Sequence, residues 1–311
     1  MRRPRTRRLL HLFFAMVAAL LLVAVGLGAW LAHDRAVGLV HPPRVLADST
    51  PADFDIATWE DIAFPSPDGL TLRGWLVPPE SMGGPTVIFV HGLHGNRSSL
   101  LPLAVPLVAR GYGALLYDAR NHGESEGTIT TLGYAEAADV MGAVAFLRDR
   151  PDVGDAPLAL VGHSMGAAAV LRAAARLSEV DAVVAISAFT SLEDNVAEGV
   201  RILTGLPPFP FAPLIIAFGE QEVGLQLSDL RPIDDLAAIA PRPVLFIHGQ
   251  ADPLVPAPNS EQLFAAASEP KVLYIVPGGQ HGDIVEQPPE EMLAQVIAFM
   301  DEHLPIEPPP R

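Results

Sequence analysis

The sequence predicts an α/β fold in which a mostly parallel sheet is covered by helices on both faces. Short runs rich in β-branched residues alternate with Ala-rich or Leu-rich stretches of helical length, which is the pattern of buried parallel strands joined by crossover helices. The chain of 311 residues is long enough for one large core. It contains no cysteine, so its stability must come from packed apolar side chains rather than from disulfides.

Residues 9–32 form an apolar stretch without a formally charged side chain. As a helix this stretch would be about 36 Å long, which exceeds a bilayer core of about 30 Å. Arginines crowd residues 1–8 whereas only Arg35 follows closely, so we expect a cytoplasmic amino terminus and a signal anchor that leaves the rest of the chain outside the cytoplasm. The alternatives are a cleaved signal peptide with secretion of the remainder, or a buried helix of a soluble protein.

The overall formal charge of −16 arises after that basic segment, in the rest of the chain. A surface of this sign repels the phosphates of nucleic acid, so no nucleic acid partner is expected. The sequence leaves the oligomeric state open.

Residues 33–53 contain several prolines and are expected to link the helix to a folded domain at 54–304, which a Pro-rich tail at 305–311 follows. Residues 54–64 and 70–77, separated by a Ser-Pro-Asp-Gly turn, predict an antiparallel edge of the sheet. The further predicted strands are residues 86–90, 113–117, 158–161, 182–186, 244–247 and 272–276. The helical stretches lie near residues 100–110, 133–148, 165–177, 260–267 and 290–303.

Residues 190–229 or thereabouts break this alternation and are predicted to form a lid insertion. They include the apolar, proline-rich stretch 206–213. Such a lid could wall an acyl pocket or touch lipid, or it could be a cap helix that simply packs on the core.

Ser164 lies in the motif Gly-His-Ser-Met-Gly, directly between a predicted strand and a predicted helix. In that context the turn is sharp, and small residues two positions before and after the serine avoid a clash. A serine nucleophile needs a base oriented by an acid. Asp252 and His281 each follow a predicted strand, and together with Ser164 they give the chain order serine, acid, histidine. All three residues should reach one rim of the sheet, although Asp194 could supply the acid instead.

An acyl-transfer site also needs hydrogen-bond donors for the oxyanion. The backbone N–H groups of Met165, after the serine, and of Leu93, after the first predicted parallel strand, are the candidates. The candidates for a substrate pocket are the loop and lid residues His94, His163, Phe209 and Phe211. The histidines of these loops do not show the spacing of a metal site, so neither a metal nor a cofactor is expected.

Several motifs together resemble the α/β-hydrolase superfamily over residues 54–304. They are His-Gly-x-x-Gly-Asn at 91–96, Tyr-Asp-Ala-Arg-Asn-His-Gly-Glu-Ser at 117–125, the serine motif at 162–166, His-Gly-x-x-Asp-x-x-Val-Pro at 248–256 and Gly-x-x-His at 278–281. The pattern is most similar to the membrane-anchored, prolyl-oligopeptidase-like and dienelactone-hydrolase-like branch. The resemblance implies the α/β-hydrolase fold and a mostly structural role for residues 118–125.

We therefore expect a serine hydrolase of the carboxylesterase or lipase type. Ser164 would attack a carboxylic ester or thioester with a medium or long acyl chain, His281 would act as base and then as acid, and Asp252 would orient His281. The substrate would be a small-molecule or lipid ester. The alternatives are a serine peptidase or an acyltransferase with the same three residues, and a non-catalytic binding protein.

Overall fold

The computed structural model describes residues 4–306, so residues 1–3 of the predicted basic segment 1–8 and residues 307–311 of the predicted tail 305–311 lie outside the described residues. One eight-stranded sheet organises the chain, with the strand order β1-β2-β4-β3-β5-β6-β7-β8. The strands are β1 Glu60–Pro65, β2 Thr71–Val77, β3 Thr86–Val90, β4 Gly113–Tyr117, β5 Leu158–His163, β6 Ala182–Ile186, β7 Val244–Gly249 and β8 Lys271–Val276. Strands β3 to β8 run parallel, whereas β1 and β2 form the predicted antiparallel edge.

Ten helices surround the sheet in the described part of the chain. They are α1 Pro4–Val40, α2 Leu101–Val108, α3 Glu136–Arg148, α4 Met165–Ala174, α5 Leu192–Thr204, α6 Pro208–Val223, α7 Pro232–Ile239, α8 Pro258–Ala266, α9 Asp283–Glu286 and α10 Glu290–His303. The α/β-hydrolase fold expected from the sequence is therefore confirmed.

The sheet is buried on both faces, which explains why its central strands are apolar at nearly every position. In β3, Ile88 and Val90 enter one apolar cluster, whereas Val87 and Phe89 enter a second cluster on the opposite face. Successive side chains of a strand point to opposite faces, so a strand covered on both sides needs apolar residues at odd and at even positions. This burial fixes the parallel strands rigidly and positions the loops at their carboxyl ends.

Helix α1 differs from the prediction at its carboxyl end. It continues past residue 32 as far as Val40, where Pro42 and Pro43 follow. The end of the helix is attached to the domain, since the N–H of Thr130 donates to the carbonyl oxygen of Val40 at 2.8 Å. Arg44 donates to two further carbonyl oxygens of the same loop region. Residues 33–53 are thus partly helical and packed on the domain, and they do not form a free spacer.

The first predicted strand also begins later than expected. Residues 51–54 form a 3₁₀ turn, and β1 starts only at Glu60. Pro51 opens that turn with a fixed φ and no N–H to donate, which suits the start of a helical turn.

The insertion after β6 consists mainly of α5 and α6. Helix α6 packs along the carboxyl-terminal part of α1, where Ala32 and Ala36 share an apolar cluster with Ala212 and Ile215. The amino-terminal part of α1 is exposed, and the helix is long and apolar enough over Arg8–Val40 to cross a membrane by length and composition.

Candidate active site

Three polar side chains meet beyond the carboxyl ends of β5, β7 and β8. Ser164 follows β5, Asp252 lies in the loop after β7, and His281 lies in the loop after β8. The Nε2 atom of His281 is 2.9 Å from Oγ of Ser164, and its Nδ1 atom is 2.6 Å from Oδ2 of Asp252. The imidazole bridges a hydroxyl and a carboxylate, which is the arrangement that lets a histidine accept the proton of a serine.

The turn that carries Ser164 has a strained backbone. Its φ of 54° and ψ of −116° lie outside the regions that non-glycine residues normally adopt. A Cβ on Gly162 would lie 2.3 Å from the carbonyl oxygen of Gly166, and a Cβ on Gly166 would lie 2.1 Å from the carbonyl oxygen of Val90. Both positions must therefore be glycine for α4 to begin so close to β3 and β5 and to hold the serine above the sheet.

Asp252 is held by bonds to both of its carboxylate oxygens. Its Oδ1 atom accepts the N–H groups of Leu254 and Val255, each at 2.9 Å, while Oδ2 faces His281. Burial alone would raise the pKa of Asp252, but hydrogen bonds from His248, His281 and the N–H of Val255 outweigh it and lower the pKa below its ordinary value. The carboxylate is therefore ionised at neutral pH and can stabilise a positive charge on His281.

His163 and His248 lie behind these residues rather than beside the substrate. The Nε2 atom of His163 is 2.8 Å from the carbonyl oxygen of His281, so it positions the loop that carries His281. Burial, followed by the charge of His281, lowers the pKa of His163 to about 3, and the ring stays neutral at physiological pH. His248 contacts Ser260 Oγ at 2.6 Å and the carbonyl oxygen of Val255 at 2.8 Å. The loop motif alone gave no reason to single out His248.

Two backbone donors are available next to Ser164. Met165 is the first residue of α4, so its N–H has no acceptor within the helix. Leu93 lies in the loop after β3, and among the described residues its N–H makes no backbone hydrogen bond. This loop passes close to the serine, since a Cβ on Gly92 would lie 3.2 Å from Cβ of Ser164. The two N–H groups could stabilise a negative oxygen formed at the serine.

Ser164 and His281 open into a cavity of about 520 Å³ beneath the lid. This volume falls within the range of about 300–1,000 Å³ that is usual for small-molecule sites. Of the four predicted pocket residues, His94 and Phe211 line the cavity. His163 lies below it, and Phe209 lies outside it with 78% of its surface exposed. The apolar part of the lining includes Leu132, Phe189, Val196, Val200, Leu203 and Ile215.

Helix α1 forms one wall of this cavity, which the sequence did not lead us to expect. Its lining residues are Leu31, Ala32, Asp34, Arg35 and Leu39. The spacing of Leu31, Arg35 and Leu39 puts them on one face of the helix, beside the face where Ala32 and Ala36 pack in the lid cluster. This helical spacing was a readable signal, but the prolines that follow it favoured the interpretation of residues 33–53 as a linker.

The remaining candidate residues have other roles. Asp194 lies at the start of α5, where its carboxylate accepts the hydroxyl of Ser191 at 2.6 Å and its N–H donates back to that hydroxyl. Burial and, to a smaller extent, the positive charge of Arg35 lower the pKa of His94, which is therefore neutral at pH 7. Asp118 accepts the N–H groups of Arg97 and Glu124 at 2.7 and 2.9 Å, which closes the 118–125 loop on itself.

Comparisons with known proteins agree with this architecture. The profile of the alpha/beta hydrolase family matches residues 87–295, and the chain belongs to that family. The uncharacterized protein YfhR of Salmonella typhi is 32% identical, covering 89% of this chain and 90% of its own. An uncharacterized protein of Mycobacterium tuberculosis is 35% identical over 78% of this chain and 79% of its own.

Among solved structures, the Pyrococcus furiosus esterase Pf2001 is similar with a TM-score of 0.71. It is 26% identical, and the match covers 86% of this chain and 98% of the esterase. Family membership and esterase neighbours support ester hydrolysis as the general activity. Assignment to the membrane-anchored, prolyl-oligopeptidase-like branch stays a prediction.

Proposed function

We propose that this protein is a serine hydrolase that cleaves carboxylic esters of medium or long acyl chains through an acyl-enzyme on Ser164. The observation that carries the proposal is the bridge from Ser164 through His281 to Asp252 at the base of an apolar cavity. The hydroxyl, the imidazole and the carboxylate are each in hydrogen-bond contact with the next.

In the proposed reaction, His281 Nε2 takes the proton of Ser164 as Oγ attacks the ester carbonyl carbon. The carbonyl oxygen becomes negative and accepts the N–H groups of Leu93 and Met165. The intermediate collapses, His281 returns the proton to the departing alcohol, and the acyl group stays on Ser164. A water molecule then attacks the acyl-enzyme with His281 again as base, releasing the acid and restoring the serine.

The cavity lining favours an ester substrate over a peptide. A peptidase that recognises a free amine needs an acidic pocket, whereas the lining within residues 4–306 contains a single carboxylate, Asp34, next to the cation of Arg35. Most of the remaining lining is apolar, as an acyl chain requires.

We also propose that α1 anchors the protein in a membrane, with residues 1–8 in the cytoplasm and the hydrolase domain on the other side. An apolar stretch of 18 residues in α1 is not covered by the rest of the protein, so in water its apolar surface would be fully hydrated. A bilayer removes that cost, and the arginines at the start of the chain set the orientation.

The test is hydrolysis of p-nitrophenyl esters from acetate to palmitate by the full-length protein in detergent, with Ser164→Ala as the control. We expect activity that depends on Ser164 and rises beyond butyrate, because each buried methylene adds about 0.8 kcal/mol, or up to about fourfold in kcat/KM. A fluorophosphonate should label the wild type and not Ser164→Ala. Wild-type protein that is inert on every ester and unlabelled would refute the proposal.

A further inference from the structure

Helices α1 and α6 run parallel, and three contacts fix their register. A Cβ on Gly28 would lie 3.3 Å from Cε1 of Phe211. Farther along, the rings of His33 and Phe218 are 5.3 Å apart, and His41 Nε2 is 2.9 Å from Oε1 of Glu222. From one contact to the next, the residue number increases in α1 and in α6 alike. The amino-terminal end of α6 therefore points along α1 toward the apolar, exposed segment of α1.

That register places the start of the lid helix at the surface of the bilayer. A bilayer core needs about 20 helical residues, so a span that starts at Leu9 ends close to Gly28. Phe211 lies at the level of Gly28, and α6 begins three residues earlier, with a non-helical backbone at Phe209. Trp30 is 59% exposed at the same level, as is typical of aromatic residues at a membrane interface.

The last turn of α5, the connection after it and the start of α6 expose large apolar side chains at this end of the lid. We call the residues concerned the lid tip: Ile202, Leu203, Leu206 and Phe209. In water these side chains would form an exposed apolar patch, whereas elements that lie in a membrane interface bury such groups about 5–10 Å deep.

The cavity extends between the lid tip and α1. Leu31 of α1 and Leu203 and Leu206 of the lid tip line the cavity and are also exposed, so one opening of the cavity lies among them. From there Leu31, Arg35 and Leu39 follow one face of α1 over about 12 Å, along the wall of the cavity that holds Ser164. This opening therefore lies where α1 would leave the bilayer.

We propose that the lid tip is inserted in the membrane that holds α1, and that the substrate is a membrane-dissolved long-chain acyl ester. Its acyl chain passes from the bilayer to Ser164 between α1 and the lid tip, so α1 is a wall of the acyl site as well as an anchor. This inference rests on the proposed function for its catalytic part, while insertion of the lid tip can be measured without catalysis.

Insertion is tested first, because the chain has no native cysteine and accepts single labels. Phe209→Cys and Met82→Cys each receive a bimane fluorophore in the full-length protein, which is reconstituted in phosphatidylcholine vesicles containing spin-labelled phosphatidylcholine. Met82 is the matched control, since it is 80% exposed and precedes β3, at the edge of the sheet opposite Ser164. We expect strong quenching of the label at 209 and little at 82. Equal quenching at the two positions overturns the proposal.

The route of the substrate is tested with Ile202→Ser/Phe209→Ser, neither of which lines the cavity. We expect hydrolysis of 4-methylumbelliferyl oleate dissolved in the vesicles to fall at least tenfold, while hydrolysis of p-nitrophenyl acetate in water stays within twofold. Met82→Ser should change neither rate. Equal losses on the two esters, or no loss on either, overturn the proposed route. A wild type inactive on both esters instead defeats the proposed function and leaves the quenching result to decide insertion.

Discussion

Replacing Asp252 with asparagine should remove almost all activity while leaving the fold intact. The two sides of this carboxylate are not equivalent, because Oδ1 accepts two backbone N–H groups and Oδ2 faces Nδ1 of His281. An asparagine oxygen must stay on the backbone side, so its NH₂ group faces His281. The Nδ1 atom must then accept a hydrogen bond, and the ring proton moves to Nε2, where it faces Ser164 Oγ. A base in that tautomer cannot take the proton of the serine.

The magnitude follows from the same contacts. A wrong tautomer in a Ser-His-Asp site lowers kcat by about 10⁴, which corresponds to about 5.4 kcal/mol in the barrier. The amide could flip to restore the tautomer, but it would then turn its NH₂ toward the N–H groups of Leu254 and Val255. Leaving these two donors unsatisfied costs about 2–6 kcal/mol in total, so the flipped amide is the less stable arrangement. We expect a loss in kcat of between about 10³ and 10⁴.

The assay is the kcat for p-nitrophenyl butyrate with the full-length protein in detergent, alongside the thermal midpoint of each variant. Asp194→Asn is the matched control, because Asp194 is the other acid that the sequence allows and the structure engages it at the start of α5. Its kcat should stay within threefold of wild type. The assignment of Asp252 is refuted if Asp252→Asn keeps more than a tenth of the activity, or if Asp194→Asn loses as much.

Three further predictions concern the cavity, the turn and the buried histidines. Gly199 lines the cavity, and nothing lies within 4 Å of an added Cβ, so the side chain of Gly199→Phe would occupy space meant for an acyl chain. We expect kcat/KM to fall at least tenfold for the p-nitrophenyl ester of decanoate and less than threefold for that of acetate. Equal losses on the two esters would contradict an acyl pocket. Gly166→Ala puts a Cβ 2.1 Å from the carbonyl oxygen of Val90, so it should lower both the activity and the thermal midpoint of unfolding. A Gly166→Ala variant that unfolds at the same temperature as the wild type would contradict this packing. Burial lowers the pKa of His91 and of His163 to about 3, so below pH 6.5 the unfolded chain gains protons that the folded one does not. Stability should therefore fall between pH 7 and pH 5 by about 2 kcal/mol for each histidine, and an unchanged thermal midpoint over this interval would contradict the assignment.

The parallel strands and the loops that end them were predictable because their signals are local. A strand buried on both faces must be apolar at nearly every position, and residues 87–90 show this pattern in the sequence itself. The turn around Ser164 was also predictable, because close backbone contacts require glycine at positions 162 and 166 and both glycines are visible in the motif. Once the strands are known, the carboxyl ends bring Ser164, Asp252 and His281 to one rim without further information.

The details that the sequence did not predict depend on contacts between distant segments. Phe209 is as apolar as Phe211, and only the register of α6 against α1 places one outside the cavity and the other in its lining. His248 acts through Asp252 and Ser260, which lie in a loop and a helix that the sequence positions only coarsely. A residue type states what a side chain can do, whereas the packing of the lid decides which side chains reach the substrate.

Helix α1 shows how such a contact can still leave a trace in the sequence. From Leu12 to Leu27 the helix is apolar on all sides, as is typical of a helix surrounded by lipid. From Gly28 onward the apolar residues narrow to neighbouring faces, with Ala32, Ala36 and Val40 buried and charged residues between them. Under the proposed anchoring of α1, this change in periodicity would mark the point where the surroundings of the helix change from lipid to protein. That point coincides with the contact between Gly28 and Phe211, so the same residues would set the proposed membrane boundary and the beginning of the lid contact.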